Sequence, residues 1–465
     1  MTAILREGPR MRREIFRLAW PVFIGQLAVM MNGVIDTAMA GRLSAADMAA
    51  VGIGASVYVT VYIGLMGTLL GLSPIAAHLF GAGRLEEIGA SFRQALWLAL
   101  LLSVPGCLAL GWTSPWLAFA APPPQVAAQV ADYLMASALG LPAALAFRAF
   151  YALNTAISRP RVVMYVNLAG VAAKVPLNAL FMYGWEPAGV PAMGGAGCGV
   201  ATALIAWLTA GLAAAWLAFD PSYARYRLMQ WSPPDRARLG ELLRLGLPIG
   251  AAYAVEITSF TFMALFLARL GETASASHQI ASNLTGVCYM GGLGIASATS
   301  TLVAQQLGAG KPRRARRYAL TGLRLAVLLA LASAAVLTGA ARPIANAYTG
   351  DAGVVAAALP LLVAVAAFHV FDSLQTQFGF ILRAYKIATA PMVVYVLAMW
   401  GIGLGGGYWL TFVASPHGIA GALRGDVAGA LGFWVAGIVS LVVASAGLGA
   451  LLAHRWRLER LGRVA

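Results

Sequence analysis

Apolar residues occur along the chain in long, nearly uncharged tracts, which are separated by short segments rich in charge, proline or glycine. Each tract holds roughly 18 residues or more, enough for a helix to cross a hydrocarbon core about 30 Å thick. The pattern predicts an all-α polytopic membrane protein with twelve transmembrane helices, near residues 18–40, 48–72, 93–111, 128–150, 162–183, 197–219, 245–268, 277–303, 319–340, 355–379, 391–413 and 428–452.

The composition agrees with this pattern. Of the 465 residues, 60% are apolar and only 11% are charged, whereas a soluble domain carries about 25% charge. The first residues are basic, but the apolar stretch that follows is too long for the core of a signal peptide and contains Asp36. We therefore expect that stretch to be the first spanning helix.

Positive charge lies mainly in alternate segments between the apolar tracts. The net charge is +15, and it is spread over short loops rather than clustered, so we expect membrane lipids and no nucleic acid as partners. The outer loops hold only Arg42, Arg269, Arg342 and Arg424. The positive-inside rule then places both termini in the cytoplasm, and the high Ala, Gly and Arg usage suggests a bacterial inner membrane.

The chain repeats itself at a distance of 227 residues. This shift superposes Arg17, Leu18 and Pro21 on Arg244, Leu245 and Pro248, and the run Gly81 to Gly83 on Gly308 to Gly310. Six spans separate equivalent positions, so the two halves share one orientation in the membrane. We predict an amino-terminal six-helix lobe (1–219), a cytoplasmic linker (220–244) and a carboxy-terminal six-helix lobe (245–465). A two-lobed chain of this kind can function as a monomer.

Three acidic residues fall well inside predicted spans, namely Asp36, Glu256 and Asp372, whereas Asp132 lies near the outer start of the fourth span. A carboxylate in a spanning helix costs about 2.5 to 3.5 kcal/mol, and such groups mark ion or substrate routes. A structural hydrogen bond or an interhelical ion pair is the alternative for any one of them. Three acids divided between two repeated halves favour an ion route.

Lys174 is a basic residue inside the fifth predicted span. Lys174 and Asn178 are four residues apart, so they share one helix face. A lone ammonium in the membrane is as costly as a lone carboxylate, and Asp36 is the only buried carboxylate in the same half. We therefore expect Lys174 to be the charge partner of Asp36.

The carboxy-terminal half holds a second polar group of residues. Glu256 and Asp372 could bind a small cation such as sodium together with Gln279 and Asn283, or the two acids could exchange a proton. Taken alone, Gln279 and Asn283 are typical of hydrogen bonds between helices.

Two prolines, Pro21 and Pro248, occupy equivalent positions near the start of the first and seventh spans. Each removes a backbone hydrogen bond and can bend its helix. They could act as hinges or serve only local packing.

No pattern in the chain predicts an enzyme. The glycine-rich run Gly401 to Gly407 lies within an apolar tract with no preceding strand, so it does not indicate a nucleotide site. Cys107, Cys198 and Cys288 are too far apart in sequence for a recognised zinc motif. We expect no catalytic residues and no cofactor apart from a coupling ion.

Several motifs together resemble the NorM-type branch of the multidrug and toxic compound extrusion (MATE) family. They are the stretch from Leu18 to Leu43 with its Pro21, Gln26 and Asp36, the run Gly194 to Thr202, and His278 to Ala281. The resemblance implies twelve spans in two lobes around a V-shaped cavity. It also implies an antiporter in which sodium or proton entry drives out lipophilic, often cationic, compounds.

Carried over position by position, the resemblance assigns Asp36 and Asn178 to an amino-lobe cation and proton site, and Glu256 and Asp372 to a carboxy-lobe site. One departure stands out, because NorM-type sequences typically carry asparagine where this chain has Lys174. Our hypothesis is that the Lys174 ammonium takes the place of a bound cation and leaves the carboxy-lobe acids as the principal coupling site. The rival hypothesis is that Lys174 itself titrates or recognises an anionic substrate group.

Met30, Met31 and Phe150 are candidates for substrate contact. The alternative function is a flippase for a lipid-linked oligosaccharide or another amphiphile, which should carry several cations for a diphosphate, whereas only Lys174 and Arg148 are available. A channel or an intramembrane enzyme is disfavoured by the repeat with acids in each half and by the lack of a paired nucleophile and base.

Overall fold

The computed structural model describes residues 2–413 and 426–462 of the chain, which form helices joined by short turns. Arg424, one of the predicted outer-loop residues, lies outside the described part. The first half contains α1 (Thr2–Gly41), α2 (Ala45–Leu69), α3 (Leu72–Gly81), α4 (Leu85–Gly111), α5 (Ser114–Ala120), α6 (Pro124–Ala156), α7 (Pro160–Asn178) and α8 (Gly195–Phe219). The second half contains α9 (Arg236–Ala268), α10 (Glu272–Gly308), α11 (Pro312–Gly339), α12 (Ala341–Tyr348), α13 (Ala352–Ala384), α14 (Thr389–Tyr395), α15 (Gly406–Tyr408) and α16 (Asp426–Arg460).

Twelve segments of the described chain are long and apolar enough to cross a membrane, which confirms the predicted fold class and span count. One segment combines α2 and α3, and another combines α14, α15 and the π-helical turns Val396–Gly405 and Trp409–Val413. Most segments extend beyond the apolar tracts, because the helix continues through the charged residues at the tract ends. The short helices α5 and α12 are not spans.

Side chains that precede several helices satisfy the backbone N–H groups of the first turn. The Ser44 hydroxyl accepts a hydrogen bond from Asp47 N at 3.0 Å before α2. The Asp351 carboxylate accepts from Gly353 N at 2.7 Å and Val354 N at 3.0 Å before α13. Such caps fix where a helix begins and add about 1 kcal/mol of stability each.

Contacts divide the chain into two compact units. Unit A contains Pro21–Gly250 with Gly308–Gly310, and unit B contains Met1–Trp20, Ala251–Leu307 and Lys311–Ala465. The chain passes between units inside α1, at Pro21, and inside α9, just after Pro248. The lobe boundaries at residues 219 and 245 stay a prediction.

Glycines allow α9 to cross α2 at backbone contact within unit A. A Cβ on Gly71 would lie 2.9 Å from Gly246 N, and one on Gly250 would lie 2.9 Å from Gly64 O. A Cβ on Gly246 would overlap the Thr68 carbonyl. Small residues permit this close approach of helices in membranes, where packing contributes much of the association energy. The crossing fixes the first half of α9 immediately before the chain enters unit B.

The turn after α8 is held by a charged side chain. Asp220 accepts a hydrogen bond from Ser222 N at 2.9 Å and pairs with Arg159 Nη1 at 3.1 Å. The hydrogen bonds from Ser222, together with the Arg159 charge, hold the pKa of Asp220 below its usual range. Asp220 therefore stays ionised and keeps the start of α7 joined to the end of α8.

Candidate functional site

The amino-terminal charge cluster consists of Asp36 on α1, Lys174 and Asn178 on α7, and Thr202 on α8. Lys174 Nζ lies 2.8 Å from Asp36 Oδ1 and donates a second hydrogen bond of 2.8 Å to Thr202 Oγ1. Asn178 Nδ2 donates to the same Asp36 oxygen at 2.8 Å. The structure thus brings together the three residues that sequence analysis grouped and adds Thr202, which it missed.

This cluster is withdrawn from solvent. The side chains of Lys174 and Asp36 are 1% and 9% exposed, and Asn178 is fully buried. Because Nδ2 of Asn178 faces the carboxylate, its Oδ1 points elsewhere and has no hydrogen-bond partner among the described residues. The cluster therefore contains one paired ammonium and one unused amide oxygen.

Small residues on α7 and α8 bring the cluster together. A Cβ on Gly170 would lie 3.0 Å from Thr209 Cγ2, so α7 and α8 approach closely one turn before Lys174. A Cβ on Gly199 would lie 2.6 Å from the Tyr133 carbonyl oxygen, so α8 also lies close against α6. The close approach of α7 and α8 at Gly170 lets Thr202, which follows the glycine-rich run that begins α8, reach the Lys174 ammonium. That run carried the clue to Thr202, although its sequence does not show which helix it faces.

The carboxy-terminal acid pair consists of Glu256 on α9 and Asp372 on α13, both in unit B. Asp372 is buried and accepts one hydrogen bond, from Gln375 Nε2 at 3.0 Å. Glu256 is half-buried, and no side chain of the described residues forms a hydrogen bond or ion pair with it. Among the same residues, Asp372 also has no ion pair. This pair therefore differs from Asp36, whose charge is neutralised by Lys174.

Gln279 and Asn283 do not join the acid pair in the structure. Gln279 Nε2 lies 3.4 Å from Asn283 Oδ1, and the contact is exposed. Neither side chain hydrogen-bonds to Glu256 or Asp372 within the described chain. Their assignment to ion coupling stays a prediction.

Arg383 is a charged residue of this region that the sequence alone does not single out. The structure extends α13 to Ala384, so Arg383 lies in its last turn, three helical turns after Asp372. Its guanidinium donates to Tyr253 Oη at 3.2 Å and lies 4.6 Å from the centre of the Phe380 ring. The charges that act on Glu256 are those of Asp372 and Arg383. The 11-residue spacing between Asp372 and Arg383 could have placed both on one helix face.

The remaining predicted residues are spread over several environments. Pro21 and Pro248 lie within continuous helices, at or close to the points where the chain changes units. Met31 is exposed and Met30 is half-buried on α1. Phe150 is 2% exposed, with its ring centre 5.7 Å from that of Phe147, so in this structure it packs inside the protein and offers no surface to a substrate.

Sequence comparison finds a family and close relatives that share nearly the whole chain. The MatE family matches residues 21–180 and 248–409. The chain is 38% identical over 440 residues to a probable multidrug resistance protein NorM of Aromatoleum aromaticum, covering 94% of this chain and 93% of that protein. It is 36% identical over 436 residues to the multidrug resistance protein PmpM of Pseudomonas aeruginosa, covering 92% of this chain and 91% of PmpM.

Solved structures share the fold. The eukaryotic MATE transporter AtDTX14 superposes with a TM-score of 0.85 at 17% identity, covering 96% of each chain. A multidrug resistance MATE family transporter in an outward-facing conformation gives a TM-score of 0.84 at 19% identity, covering 98% of this chain and 97% of that one.

Proposed function

The chain belongs to the MatE family of multidrug efflux transporters, and we propose that it is an ion-coupled antiporter in which sodium or proton entry drives the export of lipophilic, cationic compounds. It acts as a monomer in a bacterial inner membrane with both termini in the cytoplasm. Its relatives are named multidrug resistance proteins, and the proposal extends a substrate class of that kind to this chain.

The observation that carries the proposal is the lack of a fixed counter-ion at Glu256 and Asp372. No ion pair to either acid occurs among the described residues. A carboxylate inside a membrane needs a neutralising charge or a proton, because an isolated ionised group there is costly. Arg383 acts electrostatically on Glu256 without forming an ion pair with it, so a mobile cation supplies the direct neutralising charge.

Ion binding at this pair performs work if its affinity differs between inward-open and outward-open states, since a ligand shifts a conformational balance only through such a difference. An elementary charge that moves inward through 100 mV gains about 2.3 kcal/mol. At about 1.4 kcal/mol per tenfold ratio, one net charge moved inward sustains a substrate gradient of roughly 40-fold. Export of a monovalent cation offsets one inward charge, so two inward ions per substrate leave that one net charge. The membrane potential is therefore an adequate energy source for export.

Pro21 and Pro248 serve this cycle as helix hinges. Each removes a backbone hydrogen bond in α1 or α9, and each lies within three residues of the point where its helix passes from one unit to the other. Bending there would let a helix follow both units. Met30 and Met31 are the residues on α1 that we assign to substrate contact.

A flippase for a lipid-linked oligosaccharide is the second candidate, and no contact among the described residues favours it. A diphosphate needs several accessible cations. The Lys174 ammonium is committed to Asp36 at 2.8 Å, and the Arg148 guanidinium lies 4.9 Å from the centre of the Tyr151 ring. Neither arrangement presents a charge prepared for a diphosphate.

The test is transport by the purified protein in lipid vesicles, with a fluorescent lipophilic cation as the substrate. Sodium and proton gradients are imposed separately, and protein-free vesicles are the control. We expect movement of the dye against its gradient under at least one of the two ion gradients. Dye movement that is the same with and without either gradient would rule out the antiporter.

A further inference from the structure

The side chain of Lys174 places an ammonium group inside a bundle of membrane-spanning helices. Its side chain is 1% exposed, and its Nζ pairs with the 9%-exposed Asp36 carboxylate at 2.8 Å. Buried charges persist in proteins when they are paired and hydrogen-bonded. Both conditions are met here, so the pair is neutral as a whole and needs no ion from solution.

The contacts around Nζ are those that a monovalent metal cation would use. A lysine ammonium has three donors and no acceptor, so its ligands must be oxygens or other acceptors. The described ligands are Asp36 Oδ1 and Thr202 Oγ1, each at 2.8 Å. Asn178 borders this group, because its Nδ2 donates to the same Asp36 oxygen at 2.8 Å. A carboxylate oxygen and a hydroxyl oxygen thus converge on the ammonium of Lys174.

The carboxy-terminal half lacks this arrangement. A shift of 227 residues places Met263 at the position of Asp36 and Val29 at that of Glu256. The eleventh span, Thr389–Val413, corresponds to the span of Lys174 and contains no charged residue. The helices α6 and α13 have the same length of 33 residues, and aligning them places Ala144 at the position of Asp372. The two halves therefore repeat the helices and differ in the polar groups that the helices carry.

We propose that Lys174 is a resident cation, which permanently fills a site formed by Asp36 and Thr202 and thereby removes unit A from ion exchange. The chain then exchanges ions only through unit B. Loss of the lysine charge uncovers a latent sodium site at Asp36. This inference concerns the amino-terminal charge cluster and goes beyond the proposed coupling at Glu256 and Asp372.

The experiment counts sodium ions bound to the purified full-length protein, with radioactive sodium at saturation and choline to hold the ionic strength constant. Lys174→Asn removes the ammonium and adds a short side chain with an oxygen ligand. We expect this variant to bind one more sodium ion per chain than the unmodified protein. The matched variant Lys174→Asn with Asp36→Asn lacks the carboxylate, and we expect it to lose that additional ion. A Lys174→Asn protein that binds no additional sodium overturns the proposal.

A second variant leaves the amino-terminal cluster untouched, so it gives an answer even if changes at Lys174 prevent folding. The double variant Glu256→Gln with Asp372→Asn should bind no sodium at all, because the lysine already fills the other site. The resident-cation role is overturned if this double variant binds sodium and the sodium is lost when Asp36→Asn is added. These counts do not depend on transport, so failure of ion-driven export in vesicles would refute the proposed function and leave this inference to be decided separately.

Discussion

Asp36 and Asp372 are both aspartates in spanning helices, yet different groups contact their carboxylates. Asp36 receives a lysine ammonium and the Asn178 amide at 2.8 Å each. Asp372 receives one neutral hydrogen bond, from Gln375 at 3.0 Å. Since an ionised carboxylate in the membrane must be neutralised, the first acid is suited to a fixed structure and the second to an ion that comes and goes.

The Lys174 and Asp36 pair makes a prediction about stability. Lys174→Met leaves an unpaired buried carboxylate, so we expect the free energy of unfolding to fall by about 3 to 5 kcal/mol. Lys174→Met with Asp36→Asn removes both charges, and we expect most of that loss to be recovered. The measurement is denaturant unfolding of the purified proteins in one detergent. Equal losses in the single and double variants would show that the charges do not depend on each other.

The sequence alone identifies the residues whose charge is unusual in a membrane span. Asp36, Lys174, Glu256 and Asp372 stand out because each lies in an apolar tract. The sequence does not identify Thr202 or Arg383 as site residues. A threonine in a span is ordinary, and Arg383 lies beyond the apolar tract in a helix turn that hydrophobicity does not mark. Phe150 is a candidate for substrate contact because it is aromatic, and one sequence cannot show that its ring faces the protein interior.

At the scale of helices, the crossing of α2 and α9 depends on glycines rather than on large apolar side chains. Gly71 and Gly246 allow backbone contact, with a Gly71 Cβ position only 2.9 Å from Gly246 N. The chain enters unit B four residues after this crossing, beyond Gly250. The crossing therefore lies immediately before α9 passes from one unit to the other.

Replacement of Gly246 tests this role. In Gly246→Leu the new side chain would overlap the Thr68 backbone, and we expect a loss of at least about 1 to 3 kcal/mol from overpacking. Gly240→Leu is the matched control in the same helix, because a Cβ there meets nothing within 4 Å. Melting temperatures in detergent compare the two. A Gly246→Leu protein as stable as the Gly240→Leu protein would show that α9 does not need close contact with α2.

Helix boundaries were predictable where an apolar tract ends at a charge, and less so elsewhere. The fifth predicted span, 162–183, corresponds to α7 with the π-helical turn Ala179–Tyr183. The π-helical turns of this span and of the eleventh depend on local backbone packing, which hydrophobicity does not encode. The short helices α5 and α12 were missed because they are too short to form a span.

For the molecule as a whole, we predict that the two repeated halves share one orientation and that loop charge sets the direction of insertion. The short helices α5 and α12 begin at Ser114 and Ala341, which are separated by the same 227 residues as the repeated motifs. The fold therefore follows the repeat even where the sequence similarity is not visible. The different polar groups of the two halves make the molecule asymmetric in its chemistry.

The proposed topology predicts the side on which reporter proteins lie. Alkaline phosphatase fused after Ala465 should be inactive, because the positive-inside rule keeps that terminus in the cytoplasm. The same enzyme fused to a chain cut after Gly271, between α9 and α10, should be active outside. Phosphatase activity in cells, normalised to the amount of fusion protein, is the measurement. Activity only at the carboxy terminus would invert the topology.

We propose that ion coupling resides at Glu256 and Asp372 and not at the amino-terminal charge cluster. Gradient-driven export of a fluorescent cation from reconstituted vesicles tests it with three proteins: Glu256→Gln, Asp372→Asn, and the neutral pair Lys174→Met with Asp36→Asn. We expect the Glu256→Gln and Asp372→Asn proteins to lose gradient-dependent export and the neutral pair to retain it. Export that persists in the first two and vanishes in the third would contradict the proposal.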